Sequence, residues 1–186
     1  MYTLANVEAS DGNGGDTIEV ANGTYEEGVV VSGKELTIKG ESEGGTILKS
    51  PPVASLNTCI TGHYGNDPAV ICAREGAKLD ISNLTVNGEE LLVTGIGFRD
   101  ANGSVTSVTT EKTGKASSGA QGGRGIDAET TEATSRTVDV SSSEVKEFQK
   151  HGIRGWGEDL TMNTTDNTVI CTPTPDIAQN GIQLRG

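Results

Sequence analysis

Gly125-Ile126-Asp127-Ala128 and Gly152-Ile153-Arg154-Gly155 are two copies of one unit: a glycine, an isoleucine, a variable residue, then a small or apolar one. The unit stands again at Gly95-Ile96-Gly97-Phe98 and Gly181-Ile182-Gln183-Leu184, with a looser copy at Ala69-Val70-Ile71-Cys72. Aligned on its second residue, Val70 precedes Ile96 by 26 residues, and steps of 30, 27 and 29 lead on to Ile126, Ile153 and Ile182. Inside each copy an apolar position alternates with a variable one, the period of a strand with one buried face. Recurrence at such intervals marks stacked units that complete one another's core.

A second strand follows each copy at a steady distance: Leu79-Asp80-Ile81, Val105-Thr106-Ser107, Val138-Asp139-Val140 and Leu160-Thr161-Met162. A third reads at Leu84-Thr85-Val86, around Val108, at Ser143-Glu144-Val145 and at Asn167-Thr168-Val169. The opening of the chain keeps the rhythm in Thr17-Ile18-Glu19-Val20, residues 28–31, Leu36-Thr37-Ile38 and Thr46-Ile47-Leu48. Three short strands per repeat predict a triangular coil, and stacking coils at about 4.8 Å makes parallel sheets along its sides. The expectation is an all-β chain, a single-stranded parallel β-helix of about five to six coils in one domain. Asn22-Gly23, Asn87-Gly88, Asn102-Gly103 and Asn180-Gly181 are expected at the turns, since both residue types accept positive φ. An antiparallel sandwich would use the same dipeptides as hairpins, but hairpins leave the long repeat unexplained.

Three stretches break the rhythm as insert loops: 51–68, with Cys59, His63 and Tyr64; 113–124, rich in glycine and serine; and 172–179, with Pro173 and Pro175. Loops leaving one side of a solenoid commonly wall its binding face. Residues 1–9 are the expected N-terminal cap. The chain stops at Arg185-Gly186 directly after a strand, so a further stretch of chain, another subunit or a second copy is expected to cover the last coil.

Composition agrees with a solenoid. Only 33% of the 186 residues are hydrophobic and 3% aromatic, with 26 glycines. That content would suit disorder, but the apolar residues cluster in short β-branched runs, and each coil of a solenoid needs only a few. The formal net charge of −12 opposes nucleic acid and anionic membrane as partners. No stretch is apolar for the roughly 18 residues of a membrane span. The N-terminal residues Met1-Tyr2-Thr3-Leu4 do not make a signal peptide. Three cysteines without a CxxC spacing do not suit zinc, and no metal or cofactor is expected. Cys59 and Cys72 admit a bridge, but two small buried apolar side chains are the favoured reading.

Gly15-Asp16-Thr17-Ile18-Glu19-Val20-Ala21-Asn22-Gly23-Thr24-Tyr25, followed by Leu36-Thr37-Ile38-Lys39-Gly40, resembles the opening coil of right-handed β-helix proteins of the pectin-lyase-like superfamily. Asn180-Gly181-Ile182-Gln183 resembles a repeated element of uncharacterised members. The resemblance covers nearly the whole chain and implies a right-handed helix, a polysaccharide partner, and a secreted or cell-surface location. It also implies where enzymes of the group would carry their sites, and those marks are missing. Asn163-Thr164-Thr165-Asp166 is only superficially like the Asn-Thr-Asp of a polygalacturonase, no Asp-Asp pair exists, and His151-Gly152 reverses that family's Gly-His. Asp67-Pro68 runs on as Ala69-Val70 rather than as the Asp-Pro-His-Glu of alginate epimerases.

Alternation nominates a surface. With Ile96, Ile126, Ile153 and Ile182 inward, Gly97, Asp127, Arg154 and Gln183 form an outward column, and Arg99, Glu129, Trp156 and Arg185 a second beside it. Stacking would set Asp127 near Arg154, Arg99 near Glu129, and Trp156 between Glu129 and Arg185. The plain reading is a cross-strand charge ladder. A groove is the sharper one, with Trp156 as a plate for a sugar ring and the arginines as paired donors to carboxylates. Asp127 and Glu129 could serve hydrolysis with carboxyls roughly 5–9.5 Å apart, but Arg99 and Arg154 would lower both acidities. His151, between Lys150 and Gly152, is expected to be exposed or at a corner. The function expected is a non-catalytic structural or carbohydrate-binding β-helix. The alternative is a polysaccharide lyase, hydrolase or epimerase acting on an acidic glycan, with calcium as a cofactor only in that case.

Overall fold

The computed structural model describes residues 15–60, 67–114, 121–172 and 177–186; the expected cap at 1–9 lies outside them, as do His63 and Tyr64. Each coil is built from runs of β-branched residues just long enough to contribute two inward side chains before the chain must turn. The first coil is β1 (Asp16–Val20), β2 (Gly23–Glu26) and β3 (Val29–Ser32). The second is β4 (Glu35–Gly40), β5 (Thr46–Lys49), a 3-10 turn (Val53–Ser55), β6 (Thr58–Ile60) and β7 (Asp67–Arg74). The third and fourth are β8 (Lys78–Asn87) with β9 (Thr94–Arg99), and β10 (Asn102–Glu111) with β11 (Arg124–Glu129). The fifth is β12 (Arg136–Ser141), β13 (Glu144–Lys146) and β14 (His151–Trp156), and the sixth β15 (Leu160–Thr165), β16 (Thr168–Ile170) and β17 (Asn180–Arg185).

Strands of equal position stack in parallel into three faces. The first runs β3-β7-β9-β11-β14-β17 and the second β1-β4-β8-β10-β12-β15. The third takes β2, β5, the second halves of β8 and β10, then β13 and β16. This is a parallel β-helix of six coils, with the right-handed crossover that twisted strands impose.

The inward columns are continuous. On the first face Val29, Ile71, Ile96, Ile126, Ile153 and Ile182 pair rung by rung. The loose copy of the repeat therefore aligns on Ile71, one residue later than Val70, and the first step is 25 residues rather than 26. On the second face Ile38, Ile81, Val105 and Val140 stack, all at most 1% exposed. Each such side chain contributes about 1.5–3 kcal/mol through burial. The shaft is narrow, so sizes alternate across it: a Cβ on Gly103 would stand 2.8 Å from Cε1 of Phe98, the one large ring in its column.

The four Asn-Gly dipeptides stand at strand ends, as expected, but positive φ is mostly elsewhere. Of the four Asn-Gly glycines only Gly103 has positive φ. In coils three to six the corner between the second and third faces carries one left-handed residue each, Asn83 (φ 54°), Ser107 (53°), Ser142 (50°) and Asp166 (54°). A single left-handed residue bends a strand by a corner without a loop, which lets β8 and β10 run unbroken across two faces. Another corner is held by Asp100, whose carboxylate accepts the Thr131 amide and hydroxyl, both at 2.7 Å, and the Glu132 amide at 3.1 Å. In the sixth coil Ile170, Ile182 and Leu184 are 48–51% exposed.

Candidate functional site

The outer side of the first face carries three columns. Cys72, Gly97, Asp127, Arg154 and Gln183 make the central one; Arg74, Arg99, Glu129, Trp156 and Arg185 the second. The pairings expected from alternation all hold. A third column, Thr94, Arg124, His151 and Asn180, was not read from the sequence. Arg124 looked like the end of an insert but is the first residue of β11. Its position before the glycine of the repeat, shared with His151 and Asn180, was the available signal.

The glycines explain how this third column joins the site. A Cβ on Gly125 would lie 2.7 Å from the Gly152 carbonyl oxygen and clash with Val145, and one on Gly152 would lie 2.5 Å from the Gly181 oxygen. Both the glycine and the following isoleucine thus face the core, and the strand turns residue 124 to the same side as residue 127. Arg124 Nε consequently reaches Asp127 Oδ2 at 3.2 Å.

The middle of these columns is a buried ion cluster, not the open groove that alternation suggests. Asp127, Glu129, Arg124, Arg154 and His151 are each at most 2% exposed. Arg154 Nε donates to Asp127 Oδ1 at 2.8 Å and its Nη2 to Glu129 Oε2 at 3.5 Å, while Arg124 Nη1 pairs with Asp67. Three carboxylates thus meet two guanidiniums. Ion pairs shielded from water are strong only with their partners in place, so the cluster acts as a bolt between coils four and five. Asp127 has its carboxyl pushed up by burial, against the pull of Arg154 and Arg124. Burial first, then the neighbouring Arg154, lowers Arg124, against Asp127 and Glu129. His151, the first residue of β14, is not exposed: burial, then the charges of Arg124 and Arg154, push it down to about 4, so it is neutral near pH 7.

Part of this face is covered by β6, from the insert that begins at residue 51. Strand β6 pairs antiparallel with β7 and lies against β9 and β11. A Cβ on Gly97 would meet Cys59 Sγ at 2.9 Å and Ile60 Cδ1 at 3.3 Å, so the small residue at the centre of the column is what admits the strap. Cys59 and Cys72 are disulfide-bonded, not two independent apolar side chains as the sequence reading favoured. Spacing alone could not show that the insert folds back onto the outside of β7. Cys171 is free and exposed.

Cover thins toward the last coil. Trp156 and Gln183 are half-buried and Arg185 is exposed, while the Arg99 side chain is 34% exposed. The Trp156 ring carries the Arg185 guanidinium at 4.7 Å from its centroid and that of Arg154 at 5.8 Å. Among the described residues no group of three or more His, Cys, Asp or Glu is placed to hold a metal ion.

No family model and no curated protein matches the chain. Among solved structures it is similar to a crystal structure of pectin methylesterase in complex with hexasaccharide VII, at 14% identity and a TM-score of 0.37, over 84% of this chain and 67% of that one.

Proposed function

We propose that this chain is a non-catalytic β-helix whose first face offers a carbohydrate-binding strip at its C-terminal end, made of Trp156, Gln183 and Arg185 with Arg99 two rungs away. One observation carries the reading. Asp127 and Glu129, the acids that catalysis on this face would use, are bound to Arg154 out of reach of solvent. In the same columns Arg99, Trp156, Gln183 and Arg185 keep accessible surface. A tryptophan with an arginine over its ring combines an apolar plate with a forked donor, the chemistry that suits an acidic sugar. The same burial argues against lyase, hydrolase or epimerase action and against calcium, since neither carboxylate is free to meet a substrate or a cation.

The disulfide supports an oxidising compartment such as the cell exterior. No helix among the described residues is long and apolar enough to cross a membrane. The exposed Ile170, Ile182 and Leu184 support a partner, a second copy or further chain, over the sixth coil.

Affinity electrophoresis through gels containing polygalacturonate or alginate tests the strip. Retardation is expected, weakened severalfold in Trp156→Ala and in Arg185→Ala. Equal retardation of the variants, or product release from any polymer in a broad panel, would overturn the reading.

A further inference from the structure

We propose that the Cys59–Cys72 disulfide is a redox latch that keeps β6 closed over the outer side of the first face, and that its reduction uncovers Arg124 while the solenoid stays folded. Independently of any ligand, the inference follows from how the strap is attached. Cys72 belongs to the central outer column, directly below Gly97 and two rungs from Asp127. Cys59 sits in the middle of β6, so one covalent bond fixes the strap at the point where it crosses the column.

The other attachments are few. Strand β6 has three residues, and its pairing with β7 is interrupted between Thr58 and Ile60. The apolar patch beneath it consists of Cys59, Ile60, Ala69 and Cys72 with Val30 packed alongside, separate from the main core. Among the described residues, without the bond the strap would rest on Ile60, Ala69, Val30, the Ala69 amide to the Asn57 carbonyl, Leu56 against the main core and the Asp67–Arg124 ion pair. The three faces of the solenoid, by contrast, are tied by continuous ladders that do not involve the strap. Local opening free energy is low where buried apolar contacts and ladder bonds are few.

The chemistry balances with a dithiol as the reductant. One thiolate attacks a sulfur of the Cys59–Cys72 bond and forms a mixed disulfide; the second displaces it. The dithiol becomes a disulfide, and its two electrons and two protons end on the two cysteine thiols. Both sulfurs are fully buried, so exchange proceeds through transient opening of β6.

Arginine labelling with phenylglyoxal, mapped by mass spectrometry on the full chain, tests the proposal. In the oxidised protein Arg185 should label and Arg124 should not. After treatment with dithiothreitol, and in the Cys59→Ala/Cys72→Ala variant without reductant, Arg124 labelling should rise at least tenfold while hydrogen exchange in β4, β8, β10 and β12 stays slow. Arg124 remaining protected in the reduced protein and in the variant would overturn the latch. So would exchange lost throughout those four strands, because reduction would then unfold the helix instead of opening one strap.

Discussion

Arg154 donates its Nε hydrogen to Asp127 Oδ1 at 2.8 Å across two successive rungs, and neither side chain is more than 1% exposed. The pair stands on the outside of a sheet, where alternation would put it in water. Strand β6 lies over β7 and β9 and reaches β11, and Asp67, at the start of β7, pairs with the other buried guanidinium, Arg124.

Removing one member of such a cluster leaves a charge without its counter-ion, which costs more than the assembled pair is worth. Asp127→Asn should lower stability by about 3 kcal/mol, read as a fall in urea midpoint at constant slope. Asp127→Asn combined with Arg154→Met should cost less than the sum of the two single changes. Additive losses would show that the two groups do not act together.

The glycine before each repeat isoleucine makes a second prediction, because the same motif position meets two environments. A Cβ on Gly152 would stand 2.5 Å from the Gly181 oxygen, whereas one on Gly181 has nothing nearer than 3.7 Å. Gly152→Ala should destabilise by about 1–3 kcal/mol, as overpacking does. Gly181→Ala should change stability by less than about 1 kcal/mol, in either direction. Thermal or urea melts of the two variants side by side decide it; equal costs would mean that rung-to-rung contact is not what selects glycine.

His151 predicts a pH dependence. Burial and the charges of Arg124 and Arg154 push it down to about 4, against a hydrogen bond with Gln183, while an unfolded histidine titrates near 6.5. The unfolded chain therefore takes up the proton first. The stabilising contribution is complete above about pH 6.5 and is lost as pH falls toward 4, by about 3 kcal/mol in all. Asp127, whose carboxyl is raised by burial, works in the opposite direction, so the histidine is isolated by difference. The gap between the wild-type and His151→Asn urea midpoints should shift in favour of the variant between pH 7 and pH 4. A gap independent of pH would remove His151 from the account.

Much of the architecture was legible in the residues. The spacing of Ile96, Ile126, Ile153 and Ile182 predicts a column, and the four stack as neighbours. The outward columns through Asp127 and Glu129 hold for the same reason: a strand has period 2, and a parallel register carries it unchanged from rung to rung. Two readings failed where local chemistry was asked to locate a corner or a cover. Asn-Gly dipeptides accept positive φ, but the corner between the second and third faces uses a single left-handed Asn, Ser or Asp in coils three to six, for which no dipeptide signal exists. Asp127 and Arg154 looked exposed because alternation reports which side of a sheet a residue takes, not what lies above it.

The order of the residues by itself determined the coil: small β-branched clusters at a near-constant spacing have one efficient way to leave water, which is to stack on their own copies. It also determined which charged side chains share a line. Whether that line is open was settled only by the tertiary structure, because the covering strap comes from another coil and is held by Cys59 to Cys72 and Asp67 to Arg124. Contacts between segments that no periodicity relates are chosen by the finished surface, and burial in turn sets the protonation of His151 and Asp127.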